Sequence, residues 1–324
     1  MVACEGRMLV PALLDLQIYG SGGLLFAEFP TVEALQTLAR DNREAGVYSC
    51  LVTIPTQSTE RILQCLHSLN EYMEQGGDGI MGLHLEGPFI NPVKKGAHFE
   101  EWIHVPTVEE VDRILEAAKG HLKMVTLAPE LCGDEVLNRF IENDVVIAGG
   151  HSNANVVEAN EFSGRGVKLV THLYNAMSGL HHRDPGIPAA VFQDGKIYAS
   201  CIPDGYHVHW EMLKLAKNLM GERLYFITDS VTETRSGAYL HHFDDDRYIL
   251  PDGTLSGSSL NQLQSVKNGI RFMNLTLEES LRMASLYPAR VMGLGEIYGK
   301  LKPGYQAKIL LMDGDLNIHE RIGF

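Results

Sequence analysis

Residues 80–98 read IMGLHLEGPFINPVKKGAH. A short apolar run, Ile80–Leu85, ends on a carboxylate, Glu86, and passes into a loop framed by Gly and Pro, with a histidine, His98, twelve residues beyond Glu86. A run of this length with β-rich composition reads as a strand buried on both faces. Glu86 at its end, led in by apolar residues, reads as a metal ligand rather than a solvated turn residue. His84 shares a pleat side with Glu86 one step earlier and reads as structural.

The same signature recurs along the chain. Seven further runs, Leu13–Ile18, Val47–Ile54, Leu122–Leu127, Val145–Ala148, Lys168–Thr171, Ile197–Cys201 and Leu224–Thr228, bring the total to eight. Between most of them lie segments with helical spacing and capping signals: Thr31–Ala45, Ser58–Gln75, Thr107–Lys119, Gly133–Glu142 and His209–Met220. Strand alternating with helix predicts an α/β fold with a parallel sheet, and eight repeats predict a (β/α)8 TIM-like barrel. Ser258–Met273 and Leu277–Met292 are expected as two more helices. The tail at 299–313, GKLKPGYQAKILLMD, is expected to supply one or two strands of a separate small sheet.

Active sites of such barrels sit at the C-terminal strand ends. There the chain carries Gln17 to Tyr19 after the first run, Glu86 after the third, His151 after the fifth and His172 after the sixth. Asp204 and His207 follow the seventh run, and Asp229 the eighth. Neutral imidazoles at about 2.0–2.1 Å beside a carboxylate suit a zinc-type ion, so His151 and His172 join Glu86. Asp229 is the expected general acid/base, since an aspartate next to a metal can take a proton from an attacking water and return it to a leaving amine. Arg183 and His207 are the candidate anion donors, with Lys94, Lys95 and the backbone of Asn175 and Ala176 in support. GTLSGSSL at 253–260 reads equally as a close backbone approach to a sugar or as a plain turn.

Composition narrows the function classes. With 324 residues, 45% hydrophobic, the chain can bury one large core, and its net charge of −14 leaves no basic stripe for a nucleic acid. No run of 18 apolar residues occurs, and Met1–Pro11 lacks the layout of a secretion signal, so no membrane partner and a cytoplasmic location are expected. Five scattered cysteines, without a CxxC pair, read as reduced thiols.

Taken together, LLDLQIYGSGG at 13–23, the 84–98 segment, GGHSNA at 149–154, VTHLYNAMSGLHHRDPG at 170–186, PDGYH at 203–207, TDS at 228–230, GTLSGSSL and the 299–313 tail resemble the N-acetylglucosamine-6-phosphate deacetylase family of the amidohydrolase superfamily. The resemblance spans nearly the whole chain. It implies a metal held by Glu86, His151 and His172, catalysis by Asp229, and His98 on the scissile acetamide carbonyl. It further implies that His207, Asn175 and Ala176 hold the sugar phosphate. Arg183 would reach the substrate of a neighbouring subunit, making a homodimer part of the site. One divalent ion, zinc or iron, is expected, because the place where many amidohydrolases carry HxH reads Gln17-Ile18-Tyr19. Expected domains are a barrel over 11–294 and a remnant of a small, truncated β-sandwich from 1–10 and 295–324, with the tail near Leu301–Met312 left with unpaired edges. Two rivals stay open: hydrolysis of another amide or a cyclic imide, and a non-catalytic sugar-phosphate-binding relative.

Overall fold

A computed structural model describes residue 4 and residues 6–324. Eight parallel strands form one sheet, at Leu13–Ile18, Val47–Ile54, Ile80–Glu86, Leu122–Leu127, Val146–Gly149, Val167–Val170, Tyr198–Cys201 and Leu224–Phe226. They pair in sequence order. Each expected run is present, with ends displaced by two residues at most. Beyond the eighth strand, Asp229 N donates to Gln17 O (3.0 Å) and Tyr19 N to Ser230 O (3.0 Å), which joins the last strand to the first and brings the ring almost to closure.

Burial on both faces explains why these strands read as continuous apolar runs. All six residues of Leu13–Ile18 are buried, including Asp15 and Gln17. The Asp15 carboxylate accepts from Thr228 Oγ1 (2.5 Å), Gln17 N (3.2 Å) and Thr228 N (3.3 Å), tying the first strand to the eighth at the seam. Burial pushes its pKa up to about 7. His84 lies inside the barrel as a structural residue, its Nδ1 against Leu16 O (3.1 Å) and its Nε2 against Thr126 Oγ1 (2.7 Å).

The helices pack apolar stripes on the outside of this ring and start where their caps predict. Thr31, Ser58 and Thr107 each accept a backbone N–H of the first turn, contacts worth about 1 kcal/mol apiece. Two helix expectations need correction. The helix expected at Ser258–Met273 begins at Gln262, capped by Asn261, because Leu255–Ser258 is a strand. The helix expected at Leu277–Met292 breaks into Leu277–Met283 and Leu286–Val291. Pro288 is the cause: it has no N–H for the Ala284 carbonyl and its ring would collide with it. That carbonyl instead accepts from Leu14 N of the first barrel strand (2.9 Å).

The chain ends meet in a three-stranded antiparallel sheet. Ile309–Met312 is its central strand, between Met8–Pro11 and Ile318–Ile322. The expected unpaired edges at Leu301–Met312 are therefore a misreading, since Ile309–Met312 is paired on both sides. Of the segment 1–10, residues 1–3 and 5 lie outside the described residues. A second small antiparallel sheet, His242–Asp244, Arg247–Ile249 and Leu255–Ser258, follows the eighth barrel strand and was not expected. It stands on the rim through Ser258 N to Asp229 O (3.0 Å). Cys50, Cys65, Cys132 and Cys201 are buried free thiols. Among the described residues no helix is long and apolar enough to cross a membrane.

Candidate active site

Glu86 closes the third barrel strand, while His151, His172 and Asp229 sit just past the fifth, sixth and eighth. The last three adopt positive φ, 46°, 31° and 53°. This conformation is costly for a residue with a Cβ and accumulates where function demands it. Here it stops each strand abruptly at the mouth of the barrel. All four side chains are buried, with at most 9% exposure.

Their polar atoms converge. His172 Nε2 is 3.0 Å and His151 Nε2 3.3 Å from Glu86 Oε1, and the two Nε2 atoms are 3.2 Å apart. Ligands of a tetrahedral ion at about 2.0–2.2 Å stand roughly 3.3–3.6 Å from one another, so these three donors fit a single divalent cation within a few tenths of an ångström. Burial works against ionising Glu86, but hydrogen bonds from His151, His172 and His98 hold its carboxyl well below the usual carboxylate range.

His98 is close enough to compete as a ligand, its Nε2 being 3.3 Å from Glu86 Oε2, and Glu86, His98 and His151 also fall within the spread of a metal site. The protons decide between the sets. Thr56 N donates to His98 Nδ1 (3.1 Å), so the neutral ring carries its proton on Nε2 and presents a donor, not a lone pair. Burial, with repulsion from His151, lowers its pKa to about 4, so the ring stays neutral near pH 7. His151 has the opposite arrangement: Nδ1 donates to Lys94 O (2.9 Å), leaving the Nε2 lone pair facing Glu86.

Gln17 and Tyr19 fill the place of an HxH pair with hydrogen-bond donors. Thr171 Oγ1 donates to Gln17 Oε1 (2.7 Å), which turns the amide nitrogen toward Asp229 Oδ1 (2.7 Å) and Glu86 Oε1 (3.0 Å). The Tyr19 hydroxyl donates to Glu86 Oε2 and lies 3.2 Å from Asp229 Oδ1. Burial raises the Asp229 pKa, with His172 opposing and Glu86 reinforcing the shift. From the sequence these two positions read only as poor ligands; their roles as donors depend on neighbours more than 60 residues away.

The cluster floors a cleft of about 200 Å³ that also includes His98, Asn175, Ala176, His207 and Leu255–Gly257. A groove of about 480 Å³ near Arg43 and Arg321 is larger, but it lies by the strand starts Val47 and Ile80, away from every candidate ligand. Asp204 Oδ2 accepts from His207 Nδ1 (2.5 Å) and fixes that ring at the cleft wall. The backbone N–H of Asn175 donates to His172 O (2.9 Å), which leaves its side chain as the part of this residue that can meet a ligand in the cleft. Arg183 lies on an exposed loop and does not border its own chain's cleft, and Lys95 pairs with Glu100 (3.0 Å) rather than facing it. GTLSGSSL contributes a strand rather than a turn. Gly257, at φ 148°, lets it approach because a Cβ there would stand 2.7 Å from Val231 Cγ1.

The model of the amidohydrolase family matches residues 8–322. The chain belongs to the amidohydrolase family. Within it, the chain is 30% identical to an N-acetylglucosamine-6-phosphate deacetylase of Haemophilus influenzae over 94% of its own length and 82% of the relative's. It is equally 30% identical to an N-acetylgalactosamine-6-phosphate deacetylase of Escherichia coli O157:H7, covering 98% and 86%. The crystal structure of N-acetylglucosamine-6-phosphate deacetylase from Pasteurella multocida superposes with a TM-score of 0.92 at 29% identity, covering 99% of this chain and 86% of that one. A mutant of the Mycobacterium smegmatis enzyme in complex with N-acetyl-D-glucosamine-6-phosphate gives 0.90 at 27% identity, covering 98% and 85%. As an amidohydrolase, the chain has a Glu/His cluster that could hold a metal.

Proposed function

We propose that this amidohydrolase removes the acetyl group of N-acetylglucosamine-6-phosphate, giving acetate and glucosamine-6-phosphate. The observation that carries the reading is one buried point where Glu86 Oε1, His151 Nε2 and His172 Nε2 lie within 3.0–3.3 Å of one another, flanked by Asp229 and by the Nε2–H of a neutral His98. The relatives' names supply the substrate. A single zinc or iron ion held by Glu86, His151 and His172 would acidify water and polarise the acetyl carbonyl.

The chain's own groups do the rest. Asp229 takes the proton of the attacking water and returns it to the nitrogen as the C–N bond breaks. Gln17 and Tyr19 hold its carboxylate toward the cluster. His98 donates a hydrogen bond from Nε2–H to the carbonyl oxygen, where negative charge grows in the transition state. His207, Asn175 and Ala176 hold the sugar phosphate, and Arg183, exposed on its loop, reaches the substrate of a second subunit in a homodimer. The protein works in the cytoplasm, as a barrel over 11–294 joined to the small unit of 1–10 and 295–324.

Incubating the purified protein with N-acetylglucosamine-6-phosphate, with and without chelator, tests the reading. Acetate release abolished by chelation supports it; no release from a metal-loaded protein overturns it. The C4 epimer belongs in the same assay, because relatives named for N-acetylgalactosamine-6-phosphate match at 30–32% identity.

A further inference from the structure

Next to the cleft, on the side of Glu86 and His98, lies a smaller chamber of about 40 Å³. Tyr19, Glu86, Ala97, His98 and Ser256 are walls common to both spaces. The far walls are Pro55, Val231, Tyr239 and His241, all on loops beyond the second and eighth barrel strands. Tyr19, Val231 and Tyr239, with Leu25, form an apolar cluster separate from the main core.

The walls are rigidly held. Tyr239 spends its hydroxyl on Thr56 O (2.9 Å), which leaves its ring as the lining surface. Glu28 Oε1 accepts from both Ala238 N (3.0 Å) and Tyr239 N (3.1 Å), pinning the loop. Val231 N donates to Ser258 O (3.2 Å), and its side chain is backed by Gly257.

An amide carbonyl carbon bears an oxygen, a nitrogen and an alkyl group. In the proposed reaction the oxygen meets His98 Nε2 and the nitrogen turns to Asp229 for its proton. Asp229 borders the cleft and not the chamber, whereas His98 borders both. The alkyl group, the third substituent, is therefore directed into the chamber. We infer that this chamber is the acyl pocket and that Val231 and Tyr239 set the longest acyl group the enzyme removes. The inference rests on the amide-hydrolase reading of the previous section. A water-sized group needs about 10–15 Å³, so the chamber takes roughly three of them; carbon groups are wider than water, so a methyl fits easily, an ethyl occupies most of the space, and a propyl presses on Val231 and the Tyr239 ring.

The test is the acyl-length profile of metal-loaded enzyme on N-formyl, N-acetyl, N-propionyl and N-butyryl glucosamine-6-phosphate, read as kcat/KM ratios within each protein so that partial misfolding cancels. For the wild type, butyryl should be poorer than acetyl by about 10- to 100-fold. Val231→Ala should raise the butyryl-to-acetyl ratio by roughly tenfold, and Val231→Leu should raise the formyl-to-acetyl ratio, shifts of the size one or two methylenes produce. Ratios unmoved in both variants, or a flat wild-type profile, overturn the acyl-pocket assignment while leaving the deacetylase reading intact. No hydrolysis of any acyl form overturns both.

Discussion

Replacing His98 with alanine separates two roles that distance alone leaves open. His98 Nε2 is 3.3 Å from Glu86 Oε2, close enough for a ligand, yet Thr56 N donates to Nδ1 and places the proton on Nε2. His98→Ala should therefore keep a stoichiometric metal while losing a donor to the developing oxyanion. Removing one such donor costs about 2.7–4 kcal/mol, or roughly 10²–10³ in kcat. At 7% exposure the site gives water little room to substitute, so the upper part of that range is expected. KM should change little. The variant also strands the Thr56 amide, at a cost of about 1–3 kcal/mol in stability. Because burial holds the ring near pKa 4, His98 stays neutral at working pH with its proton on Nε2, and its contribution should be constant between about pH 6 and 8. Steady-state kinetics and elemental analysis of the same preparation decide the matter. Loss of the metal would make His98 a ligand, and a kcat within threefold of wild type would remove it from the chemistry.

Three further outcomes follow from the same geometry. Asp229→Asn should lower kcat by at least about 10²-fold with metal content intact, and unchanged turnover would refute its acid/base role. Tyr19→Phe removes a donor shared by two buried carboxylates. With Gln17 still in place, a loss of about 1.4 kcal/mol is expected, seen as a tenfold fall in kcat at constant KM; an unaltered kcat would show the hydroxyl to be dispensable. Asp15 concerns stability: its folded pKa near 7 lies above the ordinary 3.8, so the folded chain favours the protonated form. That contribution is whole below about pH 4 and is lost as pH rises through 7. The melting temperature of Asp15→Asn should thus gain on wild type between pH 4 and 8, and parallel curves would count against the buried, raised carboxyl.

The barrel was legible because its strands are buried on both sides, which writes them as unbroken apolar runs, and because Thr31, Ser58 and Thr107 mark helix starts. Glu86, His151, His172 and Asp229 were legible for a related reason: polar residues at the ends of such runs stand out. Where stabilisation is not periodic, the reading failed. The sheet at 242–258 has an exposed first strand and an acidic turn with Asp245 at φ 63°, so it has no apolar stripe to detect. The break before Leu286 was within reach through Pro288, but the 3.6-residue pattern of Leu277–Met292 concealed it. The donor roles of Gln17, Tyr19 and Thr56 and the walls at Val231 and Tyr239 depend on contacts across the barrel mouth, which local pattern does not encode.

Anomalous diffraction from crystals loaded with zinc puts the metal centre to the most direct test. One peak per chain is predicted, within about 2.0–2.2 Å of a Glu86 oxygen and of Nε2 of His151 and His172, with Gln17, Tyr19 and His98 outside bonding distance. A second peak beside Gln17 and Tyr19, or a single ion bound through His98 instead of His172, would contradict it.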